Sequence, residues 1–282
     1  MANKEEKWDL TITPKDKLLA VDWKEIWRYR DMFVERNFRT AYKQTILGPL
    51  WFIITPVLSV IVYVTVFGGI ANIPTDGVPP ILFYLLGISV WGYFSSCLSA
   101  TSNSFVSNAD IFGKVYFPRL AISVSSMLTS MFEFFAEFIL IFVLLLFYMA
   151  KGQVRPHLEK IWLLPVVLLQ TGLLSLGFGV LVSSLTTKYR DLTFVADFGI
   201  SLWMFASPVV YPLSQLQPGS LMYKVLIVNP MTAPLELFRS IMLGQGTVPF
   251  PAILSCLLFT AAASMLGMLC FNHVERSFID TI

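Results

Sequence analysis

Three stretches of this chain run for more than thirty residues without a charged side chain. Lys43 to Asp76 encloses 32 such positions, Asp76 to Asp110 encloses 33, and Arg239 to Glu275 encloses 35. A helix needs about 20 consecutive apolar residues to cross the hydrocarbon core of a bilayer. Inside that core the backbone must satisfy its own hydrogen bonds, which leaves only helices and closed barrels. Barrel strands read as short alternating segments of about ten residues, and nothing here alternates in that way. The fold class is therefore an all-α integral membrane protein. Composition agrees: 13% of residues are charged, against about 25% in a soluble domain.

Six transmembrane helices fit the pattern, near 47–70, 80–102, 120–149, 161–185, 193–211 and 249–272. The first 45 residues hold ten basic and eight acidic side chains. They contain no signal-peptide core, so targeting is expected to use an internal span. With the N-terminus inside, 15 of the 20 Lys and Arg residues fall in cytoplasmic segments. The excess of cations on cytoplasmic loops then places both termini in the cytoplasm. Lys151, Arg155 and Lys160 form the one basic cluster on the outer side, where Lys224 and Arg239 also fall. The expected organisation is a tail over 1–21, an amphipathic helix over 22–44 and a transmembrane domain over 45–282.

From Trp23 to Tyr42 the apolar residues Trp23, Ile26, Trp27, Phe33, Val34, Phe38, Ala41 and Tyr42 recur at helical spacing. Charged residues, among them Arg36, Arg39 and Lys43, take the other face. This is the pattern of a helix lying in the membrane interface, and Glu35 and Arg39 are spaced for an i,i+4 pair. Gly48-Pro49 then breaks the direction of the chain, because proline disfavours helical backbone at the residue before it. An ordinary positively charged anchor is the plainer alternative.

The segment SNSFVSNADIFGKVYFPRL, residues 102–120, joins spans two and three. Ser107 or Asn108 can cap a short helix that must end before Pro118. Phe112, Val115 and Tyr116 would give it an apolar side, with Asp110 and Lys114 on the polar one. Such a helix either docks another protein or folds back on its own domain. Residues 212–248 carry only three charges, Lys224, Glu236 and Arg239. Ser220–Val228 and Ala233–Leu243 look helical there, separated by Asn229-Pro230 and closed by Gly244 as a cap. Both are too short to span; they are a lid over a pathway or an interfacial skirt.

Three acids fall inside spans: Glu133 and Glu137, one turn apart, and Asp197. Charges at that depth face protein or water and point by default to function. We read them as structural or pathway-lining, with proton relay as the alternative. Cys97, Cys256 and Cys270, and His157 and His273, show no metal-ligand spacing, so no metal is expected. The chain lacks the G-x-x-x-x-G-K-[ST] phosphate loop, so it is not expected to bind ATP by that route; if ATP drives it, the hydrolysing subunit is another polypeptide, and no catalytic residues are expected in this chain. A self-sufficient secondary transporter and a membrane-embedded transferase are the competing classes.

Taken together, WKEIWRYRDMFVERNFRTAYKQTILGPLW, NADIFGKVYFPR, KYRDLTFV, SPVVYP and NPMTAPLELFR resemble ABC-transporter permeases that export polysaccharides. The pattern is most similar to the O-antigen exporter permeases, with capsular polysaccharide and teichoic acid exporters as near relatives. The resemblance implies a homodimer of six-span subunits in the bacterial inner membrane, with two separate ATPase subunits that bind ATP and Mg. It implies a glycan on a polyprenyl diphosphate as cargo, no cofactor in this chain and no nucleic acid. By the same resemblance, residues 22–44 are an interface helix touching the ATPase. The region 106–117 is a coupling helix, which brings in Asn108, Asp110, Phe112, Lys114, Tyr116 and Phe117, with Arg119 adjoining. Residues 212–244 would be outer gate helices. The first and fifth spans would line the channel through Tyr63, Phe67, Trp203, Phe205 and Tyr211. The lipid diphosphate would meet Arg36, Arg39 and Lys43, whose cations pair with phosphate oxygens.

Overall fold

The computed structural model of the chain describes residues 23–42, 45–108, 120–186 and 191–279. Ten α-helices are seen among them: α1 (Trp23–Tyr42), α2 (Trp51–Tyr63), α3 (Pro80–Ser102), α4 (Ser104–Ser107), α5 (Leu120–Ala150), α6 (Leu164–Thr186), α7 (Leu192–Phe205), α8 (Leu221–Val228), α9 (Thr232–Leu243) and α10 (Phe250–Ile279). Among the described residues five helical stretches are long and apolar enough to cross a membrane. They are Gly48–Ile70, Pro80–Ser102, Leu120–Ala150, Leu158–Thr186 and Phe250–Asn272. The chain is a multi-pass helical membrane protein.

The expected fifth span over 193–211 takes a different form. Helix α7 has 14 residues, roughly 21 Å at 1.5 Å per residue, and the chain turns irregularly from Ala206 to Tyr211. Pro208 supplies the reason, since it lacks the N–H an uninterrupted helix would need there.

Gly48 has φ +51° with open space around it, and Pro49 opens the 3-10 turn that leads into α2. The corner expected at Gly48-Pro49 is thus built from a left-handed glycine, the conformation that residue tolerates best. Beyond Tyr63 the helix widens into a π-helical stretch, Val64–Ile70.

Helix α3 lies at the centre of the bundle. Fifteen of its 23 residues are buried, and it packs against α5 and α6. Lipid tails are as apolar as leucine, so close backbone approach and hydrogen bonds hold such helices together more than apolar burial does. Helix α6 shows how. A Cβ on Gly177 would sit 2.8 Å from the Ser264 backbone nitrogen of α10, and one on Gly179 would meet Thr101 of α3. The Gln170 amide donates to Thr260 at 2.6 Å across the same α6–α10 seam.

Helices α2 and α7 stand apart from this packing. In α2 only Pro56 and Val60 are buried, and in α7 only Ile200. Helix α9 is the reverse: eleven of its twelve residues are buried, including Glu236 and Arg239.

Candidate functional site

At one end of the bundle α1 lies along the start of α5. Ile26 and Phe33 are buried against Leu120, Ala121 and Ile122, with Val180 and Phe271 completing the cluster. The Ser125 hydroxyl donates to the Arg30 carbonyl at 3.3 Å, pinning α1 to α5. Trp27, on the expected apolar face, is instead 57% exposed and carries the Arg30 guanidinium 3.5 Å above its ring. Arg36 lies over Phe33 at 4.9 Å, and burial lowers its guanidinium pKa from the ordinary value. Arg39 pairs with Glu35 at 2.6 Å. Both partners are exposed, so the pair contributes a few tenths of a kcal/mol, about 0.3–0.5. Lys43 lies outside the described residues.

The same end holds the start of the expected coupling segment. Asn108 is buried and its amide donates backwards, to the Ser104 carbonyl at 2.8 Å and the Ser107 hydroxyl at 3.1 Å. The Ser107 hydroxyl donates to the Asn103 carbonyl. Ser104 meets Ser183 at 3.2 Å, and Thr186 donates to the Ser102 carbonyl. The root of this segment is thus fastened to the end of α6. Asp110, Phe112, Lys114, Tyr116, Phe117 and Arg119 lie outside the described residues.

Within the bundle, consecutive hydroxyls of α3 serve carboxylates on two different seams. Ser96 donates to Glu133 of α5 at 3.1 Å and receives a bond from Ser130. Ser99 donates to Asp197 of α7 at 2.7 Å. Ser96 and Ser99, one turn apart on α3, thus each hold a carboxylate from a different helix, and Glu137 lies one turn beyond Glu133, half-buried.

The aromatic candidates divide likewise. Tyr63 stacks near Phe67 with centroids 5.3 Å apart and donates to the Met204 sulfur at 3.5 Å, joining α2 to α7. Phe205 is 54% exposed, and the Tyr211 hydroxyl donates to its carbonyl. Trp203 is half-buried, within 5.2 Å of Phe94 and 5.4 Å of Phe178 between ring centroids. Its indole N–H donates to Asn229 at 3.1 Å.

At the opposite end is a constellation that sequence reasoning missed. The Arg239 guanidinium donates to the Pro208 and Val209 carbonyls and to Glu236, and lies 3.9 Å above the Phe83 ring. Glu236 also accepts from the Leu213 and Thr247 N–H groups. Burial pushes the Glu236 carboxyl up from its ordinary range, and Arg239 and those N–H groups oppose that rise. Gly87 is required beside this pair, because a Cβ there would sit 2.7 Å from the Val209 backbone oxygen as well as 2.6 Å from the Arg239 guanidinium. The readable signal was the i,i+3 spacing of opposite charges on a helix otherwise nearly free of charge. Arg239, counted above as an outer cation, is internally neutralised and adds little to a charge-bias argument. The expected cap at Gly244 is present, with φ +72°. A side chain there would collide with the Arg155 carbonyl.

A multi-pass helical protein with a broken helix, partnered intramembrane acids and aromatic rings along two sparsely packed helices has the architecture of a membrane transport subunit. Residues 32–243 match the ABC-2 type transporter family, and the chain belongs to that family. It is similar to the O-antigen export system permease protein RfbA of Myxococcus xanthus, 29% identical over 221 residues that cover 77% of this chain and 82% of the relative. Two Klebsiella pneumoniae proteins of the same name are 25% identical over 252 residues and 23% over 251, each covering 89% of this chain and 93% of the relative.

Proposed function

We propose that this chain is the permease subunit of an ATP-driven exporter that carries a polyprenyl-diphosphate-linked polysaccharide of the O-antigen type across the bacterial inner membrane. The observation that carries this reading is the likeness to three O-antigen export permeases over most of both chains, within a family match spanning residues 32–243. Two copies pair in the membrane, and two separate ATPase chains bind ATP and Mg. Helix α7, continued by 206–211, makes a sixth crossing, and both termini face the cytoplasm. The exposed apolar faces of α2 and α7 support this pairing, since contiguous exposed apolar surface marks a contact with lipid or protein.

In this reading α1 senses the ATPase and offers Arg36, Arg39 and Lys43 to the lipid diphosphate. Residues 106–117 carry the ATPase movement into α3 and α6, to which their root is hydrogen-bonded. Tyr63, Phe67, Phe205 and Tyr211, with the edge of Trp203, present rings on which sugars can stack without a fixed hydroxyl pattern. The α8–α9 end faces outward and opens for the glycan.

Gentle purification from native membranes, followed by mass spectrometry and an ATP-hydrolysis assay, tests the proposal. A stoichiometric phosphate-loop ATPase that is lost on altering 110–117 supports it. A dimer without an ATPase overturns it and directs attention to proton coupling at Glu133 and Glu137.

A further inference from the structure

The α8–α9 end consists of two unlike parts. Helix α9 is buried along its length and fixed by the Glu236–Arg239 pair. Helix α8 is held only near its C-terminal end. Leu226 is buried there, its carbonyl accepts from Thr232, and the Ile227 carbonyl accepts from Ser255 of α10. Toward its N-terminal end Leu221 is 80% exposed, and the preceding Gly219 has φ +96°. This is a short lever with its pivot at Leu226–Asn229.

Asn229 occupies the pivot with every amide position engaged. Its oxygen accepts from the Trp203 indole N–H at 3.1 Å and from the Met231 N–H at 2.9 Å. Its NH₂ donates to the Ala206 carbonyl at 2.7 Å and the Ser207 hydroxyl at 2.9 Å. One side chain thereby ties the end of α7, the end of α8 and the start of α9 together. These partners set the amide orientation, because a flipped amide would face its oxygen toward a carbonyl and its NH₂ toward two donors.

Building on the permease reading, we propose that Asn229 is the positioning residue that couples Trp203 to α8. Displacement of the Trp203 ring by passing cargo releases one bond at the pivot and frees α8 to swing, while α9 remains in place. The test uses the full-length chain in lipid nanodiscs with Cys270→Ser, since Cys97 and Cys256 are buried and Cys270 is partly exposed. A nitroxide is placed at Leu221 in one sample and at exposed Gln245, just past α9, in another. Trp203→Phe keeps an aromatic ring between Phe94 and Phe178 but removes the indole N–H together with the five-membered ring, and Asn229 retains the Met231 bond; the Gln245 label reports any general loosening that the lost volume causes. Losing one such bond shifts the docked-to-free ratio of α8 roughly fivefold. The expected result is that the Leu221 label gains a mobile component and the Gln245 label does not, in Trp203→Phe and more strongly in Asn229→Asp. An unchanged Leu221 spectrum in Trp203→Phe, or equal loosening at Gln245, overturns the proposal. These spectra do not depend on export. A glycan-flux assay of the same variants separates the outcomes: a normal latch without wild-type flux rejects the exporter reading, and normal Trp203→Phe flux with wild-type flux present rejects the latch.

Discussion

Replacing Arg239 with methionine tests whether the α8–α9 end is held by its internal charge pair. Methionine roughly fills the space of the arginine stem but withdraws the guanidinium from the Pro208 and Val209 carbonyls, Glu236 and the Phe83 ring. Hydrogen bonds from a charged group are worth about 1.5–3 kcal/mol each, although bonds in one network do not add. The larger effect is on the partner, since Glu236 has a side chain only 2% exposed. Stripping one member from a buried pair costs about 3–5 kcal/mol. At about 2–4 °C per kcal/mol for a chain near this size, Arg239→Met should lower the unfolding midpoint by roughly 6–20 °C. Glu236→Gln alone should also destabilise, because it leaves a buried cation with weaker partners. The double variant removes both charges and should recover at least about 1 kcal/mol relative to the sum of the singles. The assay is thermal unfolding in detergent at one fixed scan rate, because such proteins commonly unfold irreversibly. A shift below about 3 °C for Arg239→Met, or strict additivity in the double variant, would refute the argument.

Gly177→Leu should separate α6 from α10, since even a Cβ meets the Ser264 backbone at 2.8 Å; protease protection of α10 in membranes should fall, and unchanged protection would count against the packing account. Glu133→Gln keeps an acceptor for Ser96, so glycan export should stay within about twofold of wild type on a structural reading, whereas a proton relay would lose most of its flux. Asp110→Lys with Phe112→Ala should weaken co-purification of the ATPase while leaving the helical content of the permease unchanged by circular dichroism.

The long helices were legible because hydrocarbon thickness sets their length locally. Gly48–Ile70 and Pro80–Ser102 fall almost where the uncharged windows place them. Asn229-Pro230 and Gly244 were readable as punctuation for the same reason, since a proline and a left-handed glycine act within a turn of themselves. What these windows could not show is how each element packs. Helices α2 and α9 both read as apolar, yet one is almost uncovered and the other almost wholly enclosed. That difference depends on partners far away in the chain. Trp203 illustrates the limit. Its position on the fifth apolar segment was evident, whereas its bond to Asn229 joins residues 26 apart, with a 3-10 turn and all of α8 between them.

The break in α7 and the buried pair on α9 are parts of one device. Ending a helix at membrane depth exposes carbonyls that lipid cannot satisfy, at several kcal/mol each. Here the freed groups are met one by one: the Trp203 carbonyl by Ser207, Phe205 by Tyr211, Ala206 by Asn229, and Pro208 and Val209 by Arg239. Two of the five carbonyls therefore require the only arginine of α9, and that arginine in turn requires Glu236 beside it and a glycine at position 87. A charge pair that would be costly in an apolar interior is retained because it supplies donors where the backbone has lost its own. The short α7 can end where it does only while α9 stays in place. On the latch proposed above, α8 is the element free to move at this end of the bundle, since it joins the repair only through its C-terminal cap, Asn229.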